Sequence, residues 1–278
     1  MTDAVNDRSD VSRAGLSSDF IRVENVSKTY QTQDGNRVEA LTNFNLVVRQ
    51  NEFLVLVGPS GCGKSTLLKL IVGLIPVTTG AIYFRGEEVR SPRADVGMVF
   101  QEPLLLPWRS VRENVLFPIE ILRKSDKDYR AEADRLLALV GLAGFEDRMP
   151  YELSGGMQQR AAICRALIHD PGMLVMDEPF GALDAMTRDE MGHELLRIWQ
   201  RYRKTAIFVT HSIREAVWLA DRVVVMTARP ARIAEIVAID FKRPRTDKMQ
   251  FLPEFGDYVQ SIGETIAGRS GKAVVCQD

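Results

Sequence analysis

Along this chain the order of apolar and polar positions changes character by segment, and each segment predicts its own kind of element. From residue 20 to 49 apolar and polar side chains alternate. This predicts strands over 20–26, 28–33, 36–41 and 44–49, the middle two joined by an Asp34-Gly35 turn, in a twisted antiparallel layer. Residues 53–57 break the alternation: a continuous apolar run ahead of a glycine-rich loop is the pattern of a strand covered on both faces. Behind the loop, Leu67, Leu68, Ile71 and Leu74 recur at helical spacing, which predicts a helix over 64–74 stopped by Pro76. Residues 81–85 and 94–100 read as two further strands.

Between Ser110 and His169 the period becomes helical. Ser110 and Glu113 have the spacing of a capping box ahead of a helix over 111–122, a second helix over 127–140 ends at Gly141, and a third begins near Ser154 and ends at Asp170-Pro171. From Met173 strands and helices alternate: strand 173–177, helix 185–203, strand 206–210, a short helix from Ser212 with Glu215 as a second capping box, and strands 222–228 and 233–239. The organisation expected is a polar tail over 1–19, one α/β domain over 20–240 with a helical subdomain inserted at about 103–170, and a short extension over 241–278, too small for a further large core.

Composition narrows this picture without redirecting it. The 278 residues, 45% hydrophobic and 26% charged, have ordinary globular usage, and 36 basic against 37 acidic residues leave a net charge of −1. That balance gives no electrostatic reason to expect a nucleic-acid groove. Cys62, Cys164 and Cys276 have neither metal-ligand spacing nor an even disulfide framework, which suits a reducing compartment. The tail lacks the apolar core of a secretory signal, and the longest apolar runs, at 53–57 and 70–77, fall well short of the roughly 18 residues of a membrane span. Any membrane role would go through a partner protein.

The chemistry begins at Gly58-Pro59-Ser60-Gly61-Cys62-Gly63-Lys64-Ser65-Thr66, which fits G-x-x-x-x-G-K-[ST] and lies between a buried strand and a helix. Glycines let backbone N–H groups close around phosphate oxygens, Lys64 can reach the β- and γ-phosphates of a nucleotide, and the Ser65 hydroxyl can ligate Mg²⁺ at a helix N-terminus that favours anions. The plainer reading, a glycine turn before a helix, does not account for the whole pattern. The loop by itself leaves GTPases, small-molecule kinases and motor ATPases open.

Further segments narrow the choice. Residues 174–178 form an apolar strand ending in Asp177, placed for Mg²⁺, and Glu178, placed for an attacking water. Leu153-Ser154-Gly155-Gly156-Met157-Gln158-Gln159-Arg160 offers a hydroxyl and open backbone N–H groups at a helix start with no phosphate loop of its own, so a phosphate there must come from elsewhere. On its own that segment would read as a helix cap.

These segments together resemble the ATP-binding cassette (ABC) ATPase family over residues 20–239. The resemblance implies an α/β P-loop NTPase core with an antiparallel β layer and an inserted α-helical subdomain, two copies closing head to tail around two ATP molecules, and Ser154, Gly155 and Gly156 contacting the γ-phosphate held by the opposite copy. It further implies Tyr30 as the adenine-stacking aromatic, Gln101 as a link from the metal site to the membrane partner, Gly181-Ala182-Leu183-Asp184 as a dimer-contact loop, and His211 as the histidine that senses the γ-phosphate. Met157 departs from the family pattern, which often has glutamine there. As single residues, Tyr30 could be a surface aromatic, Gln101 a loop amide, Asp184 an N-cap, and Cys62 a small loop residue; His169 and His193 are read as structural or exposed.

The Gln101 to Val115 region sets leucines and Trp108 between prolines, a shaped loop that can either pack internally or present an interface. In the family this region docks a cytoplasmic helix of the membrane permease, and this version most resembles importers of the nitrate, sulfonate and taurine type. The implied protein is a peripheral ATPase at the cytoplasmic side of the inner membrane, serving a solute-binding protein indirectly and no nucleic acid. Two alternatives are a soluble ABC ATPase acting on DNA or ribosomes and a P-loop kinase for a small metabolite. The first is disfavoured by the lack of a long heptad insertion or positive excess, the second by the 153–160 segment. Other cargoes, pyrimidine precursors among them, remain open.

Overall fold

The computed structural model describes residues 19–32 and 34–268, so the expected tail, apart from Asp19, and Cys276 lie outside the described residues. Its frame is a six-stranded sheet in the order β10-β9-β3-β8-β7-β6, formed by β3 (Phe53–Val57), β6 (Val96–Val99), β7 (Met173–Asp177), β8 (Thr205–Val209), β9 (Arg222–Met226) and β10 (Ile233–Ala238). All pairings are parallel except β10 with β9. A second sheet, order β2-β1-β4-β5, is antiparallel and contains β1 (Asp19–Gln31), β2 (Arg37–Arg49), β4 (Thr79–Phe84) and the two-residue β5 (Glu87–Glu88).

β3 has every residue fully buried, as its unbroken apolar run predicts. Phe53, Val55 and Val57 enter an apolar cluster shared with α2 (Val111–Ile121), α4 (Gly155–Leu167), α5 (Ala185–Tyr202) and α6 (Ile213–Leu219). Leu54 and Leu56 enter the other cluster, with α1 (Lys64–Ile71) and the antiparallel sheet. At roughly 1.5–3 kcal/mol for each large side chain buried, this one strand fixes the relative position of both halves of the fold. Its C-terminal end is thereby a rigid point from which the next loop leaves.

The helical block between β6 and β7 comprises α2, α3 (Asp126–Leu139) and α4, with a short 3₁₀ turn at Pro150–Glu152. Ser110 and Glu113 complete the predicted capping box on α2, each side chain meeting the other residue's backbone N–H.

The structure corrects several expected boundaries. The strands expected at 20–26 and 28–33 run as the single β1, and those at 36–41 and 44–49 as β2. Asn25 and Asn43, at φ 50° and 46°, absorb a register shift that would otherwise end each strand. Their backbone N–H groups are satisfied by Asn45 Oδ1 at 2.9 Å and Ser27 Oγ at 3.0 Å. The helix expected to reach Leu74 ends at Ile71, because Gly73 turns left-handed at φ 75° and runs so close to the Ser91 carbonyl that a Cβ would lie 2.3 Å from it. At Ser212 half of the expected capping box forms: the hydroxyl accepts from Glu215 N–H, but the Glu215 carboxylate turns away to Thr210.

The stretch after Asp240, expected to carry no large core of its own, contains a 3₁₀ turn (Asp247–Phe251) and α7 (Pro253–Ile266). Phe255 and Ile262, seven residues apart and so on one helix face, are buried, and Phe255 stacks on Phe241 with ring centroids 6.1 Å apart. Arg245 fastens the connection by donating to the carbonyls of Val217 at 3.1 Å, Trp218 at 2.6 Å and Ala220 at 2.6 Å, which closes the C-terminal end of α6. Burial, aided by Arg243, pulls the Arg245 pKa down to about 10, so the guanidinium remains charged at neutral pH. Phe255→Ala is expected to lower the unfolding free energy by about 3–5 kcal/mol, read as an earlier urea midpoint with an unchanged slope.

Candidate active site

The loop that leaves β3 closes on itself around a lysine. Lys64, 5% exposed, donates through Nζ to the carbonyls of Gly58 at 2.9 Å and Pro59 at 3.0 Å, so its charge is held at the loop mouth by neutral acceptors that an anion can replace. Gly63 sits at φ 124°, where a Cβ would be 3.0 Å from the Ala40 carbonyl; any larger residue would push the loop off β2. Cys62 is buried beneath the loop beside Leu67, Leu68 and Met226, the packing role of a small loop residue. Pro59 is half-buried, whereas Ser60 and Gly61 stand exposed at the tip.

A cavity of about 200 Å³ opens over this loop. Tyr30, Gly61, Gly63, Lys64, Ser65, Thr66 and Glu178 all border it, and so does Arg229. Residues from β1, the phosphate loop and the end of β7 thus converge at one place. Asp177 joins through Ser65, whose hydroxyl donates to Oδ1 at 2.9 Å, and His211 joins through Glu178, with Nδ1 and Oε2 3.2 Å apart. Glu178 has φ 46°, an uncommon backbone conformation for a residue that is not glycine, held by bonds from its N–H to the Val209 carbonyl and from Gly181 N–H to its own carbonyl, both 3.0 Å. Gln101 is exposed and reaches the loop after Glu178: a Cβ on Gly181 would lie 2.9 Å from its Nε2.

Ser154, Gly155 and Gly156 are not among the residues that border the cavity. Ser154 caps α4 by accepting from Met157 N–H at 3.3 Å, Gly155 has open space around it, and Gly156 lies against Thr187 at the start of α5. Asp184 likewise caps α5, accepting from Thr187 N–H at 3.1 Å and Thr187 Oγ1 at 2.7 Å; the latter bond chiefly holds its carboxyl below the usual range. One chain therefore presents a phosphate cradle and, apart from it, a helix start exposed at Ser154 and Gly155.

Residues 41–181, about half of the chain, match the family model described as ABC transporter. The chain belongs to the ABC transporter family. It is 44% identical over 246 residues to the taurine import ATP-binding protein TauB of Jannaschia sp., covering 87% of this chain and 92% of that protein. To the nitrate import ATP-binding protein NrtD of Synechococcus elongatus it is 46% identical over 235 residues, covering 84% and 85%. A dimeric ATP-binding cassette solved in a post-hydrolysis state with ADP and Pi superimposes with a TM-score of 0.70 at 31% identity, covering 80% of this chain and all of that one. The chain is accordingly an ABC ATPase, and the soluble-machine and kinase alternatives gain no support from these relatives.

Several residues of this ABC cassette that shape the site carried no signal in the sequence. Arg229, on the turn after β9, donates to the Gly61 carbonyl at 2.6 Å and braces the loop tip. Gln159 on α4, 1% exposed, donates to the Phe100 carbonyl at 3.0 Å, and Arg165 donates to the carbonyls of Pro103 and Leu104, both at 2.7 Å. Asn114, fully buried, accepts from Leu106 N–H at 2.7 Å and donates to the Leu106, Arg109 and Ser110 carbonyls. The Gln159 and Arg165 bonds tie residues 100–104, on either side of Gln101, to the helix capped by Ser154, and Asn114 ties the rest of the loop to α2. Leu104, 54% exposed, borders an apolar groove that includes Phe100, Phe117, Pro118 and Ile121, and Trp108, four residues on, is 71% exposed.

Asp177 is the electrostatic weak point of the site. Burial pushes its pKa up, more than the Ser65 hydrogen bond lowers it, and neighbouring Glu178 adds to the rise. The folded chain therefore binds this proton more tightly than the unfolded chain. Stability falls as pH rises from the ordinary carboxylate value through the raised one, and the penalty is complete above it. Asp177→Asn, which keeps an acceptor for Ser65, is expected to raise the melting temperature of the nucleotide-free protein at neutral pH. The gain should shrink as pH falls to about 4, and scanning calorimetry of both proteins across that range measures it.

Proposed function

We propose that this ABC ATPase drives import of a small anionic solute, such as nitrate, an aliphatic sulfonate or taurine, from the cytoplasmic side of a membrane. The solute would be chosen by a binding protein and a permease, and the names of the taurine and nitrate relatives support this cargo class. No helix of the described residues is long and apolar enough to cross a membrane, so coupling would pass through a docked permease. Leu104 at the edge of the apolar groove and the exposed Trp108 on the same loop support docking there, since apolar anchors on a loop held by buried polar bonds suit an interface.

The observation that carries the catalytic reading is the convergence of Lys64, Ser65, Glu178 and Tyr30 on one cavity. ATP would lie with its base on Tyr30 and its phosphates against Gly58 to Thr66, where Lys64 exchanges its bonds to Gly58 and Pro59 for phosphate oxygens. The Ser65–Asp177 pair fits Mg²⁺: a hydroxyl and a desolvated carboxylate, 2.9 Å apart, are hard oxygen ligands that gain from a divalent cation, with Gln101 able to complete the set. When bound, the metal would neutralise charge on the transferring phosphoryl group. Glu178 would orient and deprotonate the attacking water, and His211, 3.2 Å from it, would stand toward the γ-phosphate.

Ser154, Gly155 and Gly156 supply the missing side of the site from a second copy. Their separation from the cavity, together with the dimeric form of the solved relative, supports this reading. Hydrolysis then waits for closure of the dimer.

Glu178→Gln is expected to leave ATP affinity within about twofold while lowering turnover by roughly 10²–10⁴. Nucleotide titration and steady-state phosphate release measure the two effects; full activity in the variant would contradict the assignment. Trp108→Ala is expected to weaken capture by the detergent-solubilised cognate permease about tenfold or more, and unchanged capture would place the partner elsewhere.

A further inference from the structure

The loop at 180–184 and the turn carrying His211 leave neighbouring strands, β7 and β8, and two charged side chains connect them. Arg188, in the second turn of α5, donates through Nη2 to the Leu183 carbonyl at 3.1 Å and so grips the loop. Its Nε lies 3.6 Å from Glu215 Oε1, an ion pair whose side chains are 29% and 17% exposed. Glu215 reaches back from α6: its Oε2 accepts from Thr210 Oγ1 at 2.6 Å, and that same hydroxyl oxygen accepts from Ser212 N–H at 3.0 Å. Glu215 N–H also donates to Ser212 Oγ at 3.3 Å, so both neighbours of His211 are held through Glu215.

The pair is not fully made. Arg188 Nε is buried and has no hydrogen-bond partner, and 3.6 Å to a carboxylate oxygen is too long for one. At 3.6 Å the guanidinium and carboxylate attract as charges without a direct hydrogen bond, and a small movement would bring them into one. A polar cavity bordered by Ala185, Gly192, Ser212 and Trp218 lies beside the pair and gives it room to move. None of the catalytic roles assigned above uses Arg188 or Glu215.

We propose that Arg188 and Glu215 are positioning residues that link loop 180–184 to the His211 turn, so that engaging the loop with a second copy draws His211 and Glu178 into their working geometry. The link deepens the function proposed above and rests on it. Loop movement would shift Arg188, close the gap to Glu215, and pass through Thr210 and Ser212 to the histidine between them. A pair that merely pins α5 to α6 would affect stability instead of turnover.

The test compares Glu215→Gln, which keeps an acceptor for Thr210, with Arg188→Gln, Arg188→Lys and the double Gln variant. Each single Gln change is expected to lower kcat about tenfold while KM and ATP affinity stay within about twofold. Arg188→Lys should recover a large part of the rate, and the double variant should be no slower than the slower single one, because the two residues act as one unit. Melting temperatures are measured alongside, and since the residues lie on different helices, either single variant carries the test if the other does not fold. The proposal is overturned if both Gln variants keep the parent kcat, if their kcat losses multiply in the double variant, or if the loss follows melting temperature and affinity. Phosphate release by the parent and by Glu178→Gln separates the two levels. Glu178-dependent hydrolysis with normal rates in the link variants sinks only the link, whereas absence of such hydrolysis sinks the function as well.

Discussion

Burial of β3 on both faces is the constraint on which the rest of the structure depends. A five-residue strand with no exposed side chain has no freedom of register: moving it by one residue would exchange Phe53, Val55 and Val57 with Leu54 and Leu56 between two packed clusters. Its flanking strands β8 and β9 are held in parallel register along its length. The loop beyond Val57 therefore leaves a fixed point, with Lys64 held at its mouth by the Gly58 and Pro59 carbonyls. The acidic pair at the end of β7 is placed by the same sheet, which brings Asp177 to Ser65 across 112 residues of sequence.

The functional consequence is division of labour between a rigid half-site and an open one. The phosphate cradle is braced on several sides by Ala40, Arg229 and its own carbonyls, whereas Ser154 and Gly155 stand uncovered at a helix start, with Gly156 buried behind them against Thr187. Between the open half and the outward-facing Leu104 and Trp108 run the bonds of Gln159 and Arg165, both on α4. A rigid helix thus joins the place where a second copy would contact nucleotide to the surface where a permease would dock. Movement of one has a mechanical route to the other.

How legible this was in the sequence follows from the range of the interactions. The phosphate loop, β3, Asp177 and Glu178 could be read because their chemistry is local: a contiguous motif, a contiguous apolar run and two adjacent carboxylates. Tyr30 and His211 entered only by resemblance, and the structure sets Tyr30 at the cavity and His211 against Glu178. Gln159, Arg165, Arg229 and Asn114 were silent because their partners are backbone carbonyls, often far along the chain, and a carbonyl leaves no mark in a sequence. Strand boundaries at Asn25 and Asn43 were missed because a bulge continues a ladder that a pattern of alternation treats as broken. The helix at 253–266 was legible and went unread: Phe255, Tyr258, Val259, Ile262 and Ile266 recur at helical spacing and pack on the core, but the stretch was weighed only by its length, too short for a large core of its own.

The central claim is that one chain holds only part of its catalytic site and borrows the rest from a second copy. Sedimentation of the Glu178→Gln protein with and without ATP, together with the same protein carrying Ser154→Arg, tests it most directly. The account predicts a dimer only with ATP, and a monomer under all conditions once Arg replaces Ser154, although that variant still binds a fluorescent ATP analogue. A dimer that forms without nucleotide, or one that survives Ser154→Arg with undiminished stability, would contradict it.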